Sequence, residues 1–209
     1  MIDIEQLNAV RRSRGFLSVG DTYSLASAGV TVLDPFSTLV SPRITLAPGV
    51  TLWPSVILQT SDDGIIAIGP ETQIFTGSRL VATGGRIAVG AKAEIGEEGG
   101  FTIKADPDVL IEIGEGARLL GGGSLTLSNS IGAGAQVLGP IRMQNCVLEG
   151  GAPIVSQTRT DAARSLRDTA SPGRSMSRRV MSCRLSGYSP KRRCASNPIF
   201  TQSPEADLP

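Results

Sequence analysis

The chain has 209 residues, with Lys+Arg 20 against Asp+Glu 19, 40% hydrophobic residues and only 4% aromatics. That length holds one domain, or one domain plus an appendage, and a core poor in aromatics must be built from Val, Ile and Leu. The absence of a ~20-residue apolar run and of a secretory-signal pattern, with three scattered cysteines (Cys146, Cys183, Cys194) too few for a disulfide framework or zinc cluster, leaves a cytoplasmic protein as the expectation.

In chain order, residues 1–27 form an N-terminal segment whose start, IDIEQLNAVRRSR, predicts a short amphipathic helix over 2–14. Asp3 with Gln6 three later resembles a capping box, and Ile4, Leu7 and Val10 share a face at helical spacing. The helix either caps the first coil of the repeat region or is the stub of a linker.

Residues 28–151 carry a period of six. Aliphatic anchors stand at Val40, Leu46, Leu52 and Leu58, and they resume after Asp62-Asp63-Gly64 at Ile68, Ile74 and Leu80. A second slip at Gly84-Gly85-Arg86 resets the phase. The anchors then run on at Val89, Ile95, Phe101, Ile113, Leu119, Leu125, Ile131, Val137 and Met143, with Pro107 alone failing to supply one. The residue after an anchor is often small (Ala47, Gly69, Gly90, Gly96, Gly114, Gly132), which lets the backbone turn a corner closely. Residues four after an anchor are small or β-branched, as at Ala93, Ala117 and Ala135. Neither a helix nor a two-sided strand has this period; a parallel β-helix does, one short strand and turn per hexad and three hexads per coil. An ordinary β-sandwich would alternate with a period of two. The expected fold is all-β, a left-handed parallel β-helix of five to six coils, with open ends that need capping.

The stretch AGVTVLDPFSTLVSPRITLAPGVTLWPSVIL, residues 28–58, adds a relative. Gly29, Val30, Thr31, Asp34 and Pro35, followed by Pro48 and Pro54 beside anchors, resemble the entry into the left-handed β-helix of the bifunctional N-acetylglucosamine-1-phosphate uridylyltransferase/glucosamine-1-phosphate acetyltransferase family. The resemblance covers roughly residues 20–150, and its later hexads are generic to hexapeptide-repeat proteins. It implies a homotrimer packed along the prism axis, a nucleotide-sugar or acyl-CoA ligand, acetyl-CoA as co-substrate, and a transferase linked to UDP-N-acetylglucosamine biosynthesis. It carries over no catalytic, cofactor-binding or metal-binding residue. Such acetyltransferases use a histidine base, and this chain has none. The nucleotidyltransferase half has no counterpart here either. A γ-class carbonic anhydrase, which needs three histidines, is excluded on the same ground. The alternative function is a non-catalytic trimerising scaffold or ligand-binding solenoid.

After residue 151 the hexads stop. Residues 1–150 contain 10 basic and 15 acidic side chains, whereas 152–209 contain 10 and 4 and are rich in Ser, Arg and Pro. Three readings stand: a disordered basic tail able to meet phosphates or an acidic surface, a cap for the β-helix, or an out-of-frame translation of a GC-rich gene. Permissive codons for 151–187, read out of phase, can spell a Gly-, Val- and Ala-rich segment with histidines, closer to a continued β-helix. The segment has little apolar periodicity to bury as a cap, and on the tail and out-of-frame readings alike little order is expected beyond residue 155; neither a nucleic acid nor a membrane is the expected partner.

Several residues are candidates for chemistry. Gly121-Gly122-Gly123-Ser124 has the look of a phosphate cradle but lacks the Gly-Lys-Ser/Thr ending of a P-loop, which favours a plain turn. Asp62-Asp63-Gly64 and Asp106-Pro107-Asp108 pair carboxylates suited to a metal or to acid–base work, though Asp, Gly and Pro first make turns. Glu97-Glu98 reads as a solvated corner, and Cys146 as a structural thiol with no histidine to activate it. Lys92, Lys104 and Arg118 are placed to line an inter-subunit cleft for an anion, or simply to solubilise. Trp53 and Pro54 follow an anchor and are expected to point outward, so Trp53 is expected exposed at a subunit contact.

Overall fold

If each hexad makes one strand and one corner, three hexads return the chain to its starting side and strands of successive coils pair in parallel. The computed structural model describes residues 3–150, and they wind as a parallel β-solenoid of three six-stranded sheets, five full turns and most of a sixth. Sheet A holds β1 (Thr31–Val32), β4 (Thr51–Leu52), β7 (Gln73–Ile74), β10 (Glu94–Ile95), β13 (Arg118–Leu120) and β16 (Gln136–Leu138). Sheet B holds β2 (Leu39–Val40), β5 (Ile57–Ser61), β8 (Arg79–Thr83), β11 (Thr102–Ala105), β14 (Ser124–Thr126) and β17 (Arg142–Gln144). Sheet C holds β3 (Thr45–Leu46), β6 (Ile65–Ile68), β9 (Arg86–Val89), β12 (Leu110–Ile113), β15 (Asn129–Ile131) and β18 (Val147–Leu148).

Register turns the anchors into three inward columns. Sheet A stacks Val32, Leu52, Ile74, Ile95, Leu119 and Val137. Sheet B stacks Val40, Leu58, Leu80, Ile103, Leu125 and Met143. Sheet C stacks Leu46, Ile68, Val89, Ile113, Ile131 and Leu148. All but the terminal members Val32, Leu46 and Leu148 are buried. At roughly 1.5–3 kcal/mol per buried aliphatic side chain, these columns hold the fold together without help from aromatics.

The three corners differ. From C to A the path is the same in every coil: Leu46 to Leu52, Ile68 to Ile74, Val89 to Ile95, Ile113 to Leu119 and Ile131 to Val137 are each one hexad. In all five, the third residue after the anchor has positive φ: Gly49, Glu71, Lys92, Gly116 and Gly134. The residue just after the anchor must be small because the next coil lies against it; a Cβ on Gly114 would sit 2.4 Å from the Ala133 amide nitrogen.

From B to C the path swells in three consecutive coils. Asp62-Asp63-Gly64, Gly84-Gly85 and Asp106-Pro107-Asp108-Val109 bulge there, beside the longest strands of sheets B and C. This corrects the phase assigned from sequence. Ile103, not Phe101, occupies the sheet B column between Leu80 and Leu125. Two extra residues between Ile95 and Ile103, and four more between Ile103 and Ile113, together make one full hexad, so the period looked unbroken across both. Phe101 is buried all the same, with its ring against Gly123.

The N-terminal segment caps the first coil. Helix α1 (Ile4–Ser13) starts at Asp3, whose carboxylate accepts from the amides of Glu5 and Gln6. Helix α2 (Val19–Ser24) is closed by a reciprocal Ser18–Asp21 capping box, and those hydrogen bonds hold the Asp21 carboxyl below its usual pKa. A 3-10 turn, Leu25–Ala28, leads into β1. The expected apolar face of α1 does not form: Ile4 and Val10 are exposed, and the buried residues are Asn8 and Arg11. The reason is what lies beneath. The edge of the first coil presents carbonyls, which need donors. The Arg11 guanidinium donates to the carbonyls of Leu17 (2.9 Å), Pro35 (2.9 Å) and Thr38 (2.6 Å) and to Thr22 Oγ1 (3.2 Å). Burial lowers its pKa from the ordinary arginine value. The Leu17 amide adds a bond to the Val40 carbonyl, and Asn8 Oδ1 accepts from the Val19 amide.

Candidate functional site

The solenoid distributes the candidate residues over different faces. Gly121-Gly122-Gly123-Ser124 lies on the A–B corner, directly against the loop that carries Glu97 and Glu98. The Gly121 amide donates to the Glu97 carbonyl (2.9 Å), the Gly122 amide to the Gly100 carbonyl (3.1 Å) and the Ser124 amide to the Ile141 carbonyl (2.9 Å). With these donors spent between coils, the stretch is a turn and not a phosphate cradle.

The cations do not converge. Arg118, on the outer face of sheet A, is bracketed by Glu94 and Glu97, and the hydrogen bond it donates to Glu94 is the main cause of its raised pKa. Glu97 is therefore half of an ion pair and not merely solvated. Lys104, on the outer face of sheet B, pairs with Asp106 at 2.9 Å. Lys92 stands on the C–A corner with φ 55°. Two of the three are thus already paired with carboxylates of the same chain.

Asp62-Asp63 and Asp106-Pro107-Asp108 share the B–C corner but are separated by the coil carrying Gly84-Gly85. Asp62 and Asp108 have positive φ, as turn residues do. Arg43 donates to the Asp62 carbonyl at 2.8 Å. Among the described residues, no three Cys, Asp or Glu side chains are grouped to hold a metal ion.

Trp53 is half-buried rather than exposed: it packs against the core cluster and stacks on Phe75, ring centroids 5.2 Å apart and 25° from parallel. Its Nε1–H meets no acceptor among the described residues. Leu33, Trp53 and Phe75 occupy the same place on the A–B corner in consecutive coils, because their amides donate to the anchor carbonyls of the next coil, Leu52, Ile74 and Ile95 respectively. Leu33 is 51% and nearby Phe36 58% exposed, so the upper part of this corner is an apolar stripe.

A second feature escaped sequence reading. A recess of about 260 Å³ opens on the outer face of sheet C, lined by Leu110, Glu112, Ser128, Asn129, Ser130, Asn145, Cys146 and Val147. Cys146 is buried and its thiol faces the Gln144 carbonyl at 3.2 Å. No sequence motif marks this place, since it arises from a change in coil size. The one signal in the sequence was the polar run Ser128-Asn129-Ser130, where Asn129 takes an inward position held by Ile111 one coil earlier.

No family model matches the chain, and no curated protein does. No helix among the described residues is long and apolar enough to cross a membrane. Residues 152–209, and with them the three readings of the basic segment, lie outside the described residues.

Proposed function

We propose that this chain is a non-catalytic scaffold of the hexapeptide-repeat kind that associates with two further copies through its A–B corner. The observation that carries this reading is the apolar stripe of Leu33, Phe36, Trp53 and Phe75, half-buried to exposed along one edge of the prism. Large apolar groups in a contiguous exposed patch mark interaction sites, and aromatics are enriched in interface cores. Left-handed coiling and a trimer belong to this reading through the resemblance of Gly29–Pro35, and a cytoplasmic location through the few scattered cysteines.

That same resemblance favours a second reading, an acyltransferase related to UDP-N-acetylglucosamine biosynthesis that takes acetyl-CoA and a sugar phosphate or nucleotide sugar. Against it weigh a sequence without histidine and cations already held by Glu94, Glu97 and Asp106. Acetyl transfer from acetyl-CoA to glucosamine 1-phosphate separates the two. The scaffold reading expects no turnover by the purified chain at any concentration, and turnover above the uncatalysed rate would replace it with the transferase.

A further inference from the structure

The recess on sheet C has a simple origin. The B–C corner bulges by Asp106-Pro107-Asp108-Val109 in one coil, then tightens to Leu127-Ser128 and Asn145-Cys146 in the next two. The wall therefore steps inward below Leu110. The floor is fixed in place by Asn129, whose amide donates to the carbonyls of Thr126 (2.9 Å) and Leu127 (3.0 Å) while its oxygen accepts from the Cys146 amide (3.2 Å). The Ser130 amide is bonded to the Cys146 carbonyl. A site so held needs little reorganisation on binding.

Its chemistry is one-sided. Among the described residues, Glu112 is the only charged one lining the recess; it is exposed and forms no ion pair with any of them. Among the described residues no Lys or Arg lines the recess, so a phosphate or carboxylate would face an uncompensated negative charge. No aromatic ring among them lines it either, so a quaternary ammonium would lack the faces that recognise it. The hydroxyl of Ser130 and the amide of Asn145 supply neutral donors and acceptors. Leu110 and Val147 supply apolar flanks.

We propose that this recess binds a small hydroxylated primary amine, an amino alcohol in chemical class. Its ammonium donates to the Glu112 carboxylate, its hydroxyl exchanges hydrogen bonds with Ser130 and Asn145, and its methylenes lie against Leu110 and Val147. Sheet C is the side of the prism opposite the A–B corner, so the proposal does not rest on the assembly reading.

The test is titration of the full-length, ¹⁵N-labelled protein with ethanolamine at low salt, following amide shifts. Ethylene glycol, choline and inorganic phosphate serve as the uncharged, quaternary and anionic comparisons. Saturable shifts confined to 110–112, 128–130 and 145–147 are expected for ethanolamine, with the other three weaker by about tenfold or more, the loss of one charge-assisted hydrogen bond. Glu112→Gln, a change on the exposed surface, should weaken ethanolamine by a similar factor while leaving the remaining amide spectrum in place. Equal binding of ethylene glycol, of phosphate or by Glu112→Gln overturns the proposal, as does the absence of saturable shifts.

Discussion

Two glycines two positions apart show how one repeat places different demands on its residues. Gly114 has ordinary φ but no room, since a Cβ there would lie 2.4 Å from the Ala133 nitrogen; Gly116 has room, with nothing within 4 Å, but a φ of +63°. Glu71 and Lys92 adopt that left-handed conformation at the equivalent corners with φ of 57° and 55°, and Asn visits it readily. Gly114→Ala should therefore cost about 1–3 kcal/mol through overpacking, while Gly116→Asn should stay within about 1 kcal/mol of the parent. Urea denaturation of the two variants checks the contrast. The need for a small residue after the anchor was legible in the sequence, because the same choice recurs at Gly69, Gly90 and Gly132. The left-handed position was not, because Gly, Glu and Lys all fill it.

At the scale of elements, the sequence period revealed most of the strands and concealed one displacement. Strand β11 (Thr102–Ala105) was misphased because insertions of two and four residues restored the six-residue count, and periodicity alone cannot separate a bulged coil from an extra hexad. Ile103 and Ala105, both buried, mark where the true strand lies. The N-terminal cap was misread for a different reason. Amphipathic patterning looks for an apolar face, yet this helix covers a row of backbone carbonyls and so buries Asn8 and Arg11. Arg11→Met keeps much of the bulk but removes the donors, leaving the carbonyls of Leu17, Pro35 and Thr38 without their partner. Each buried acceptor so orphaned costs about 1–3 kcal/mol. Arg11→Met is expected to destabilise the cap by about 3 kcal/mol or more and to raise amide hydrogen exchange across α1, α2 and the first coil, with β8, β11 and β14 still protected. Exchange unchanged in α1 and α2 would mean that the cap is held by something other than this guanidinium.

For the whole molecule, three hydrophobic columns explain why a chain with so few aromatic residues folds, and they also explain where its aromatics went. Of its five Phe and single Trp, Phe36, Trp53 and Phe75 gather on one corner, outside the columns that aliphatic side chains already fill. The scaffold was legible in the sequence because every coil repeats it. The stripe and the sheet C recess were not, since each depends on which residues stack across coils some twenty positions apart, as Leu33, Trp53 and Phe75 do. The central claim is that this corner joins copies of the chain, and the mass of the protein in solution tests it most directly. Light scattering should give three times the 21.7 kDa chain mass for the parent and a single chain mass for the double variant Leu33→Asp, Phe36→Asp, whose side chains are both more than half exposed. A monomeric parent, or a trimer that survives both substitutions, would contradict it.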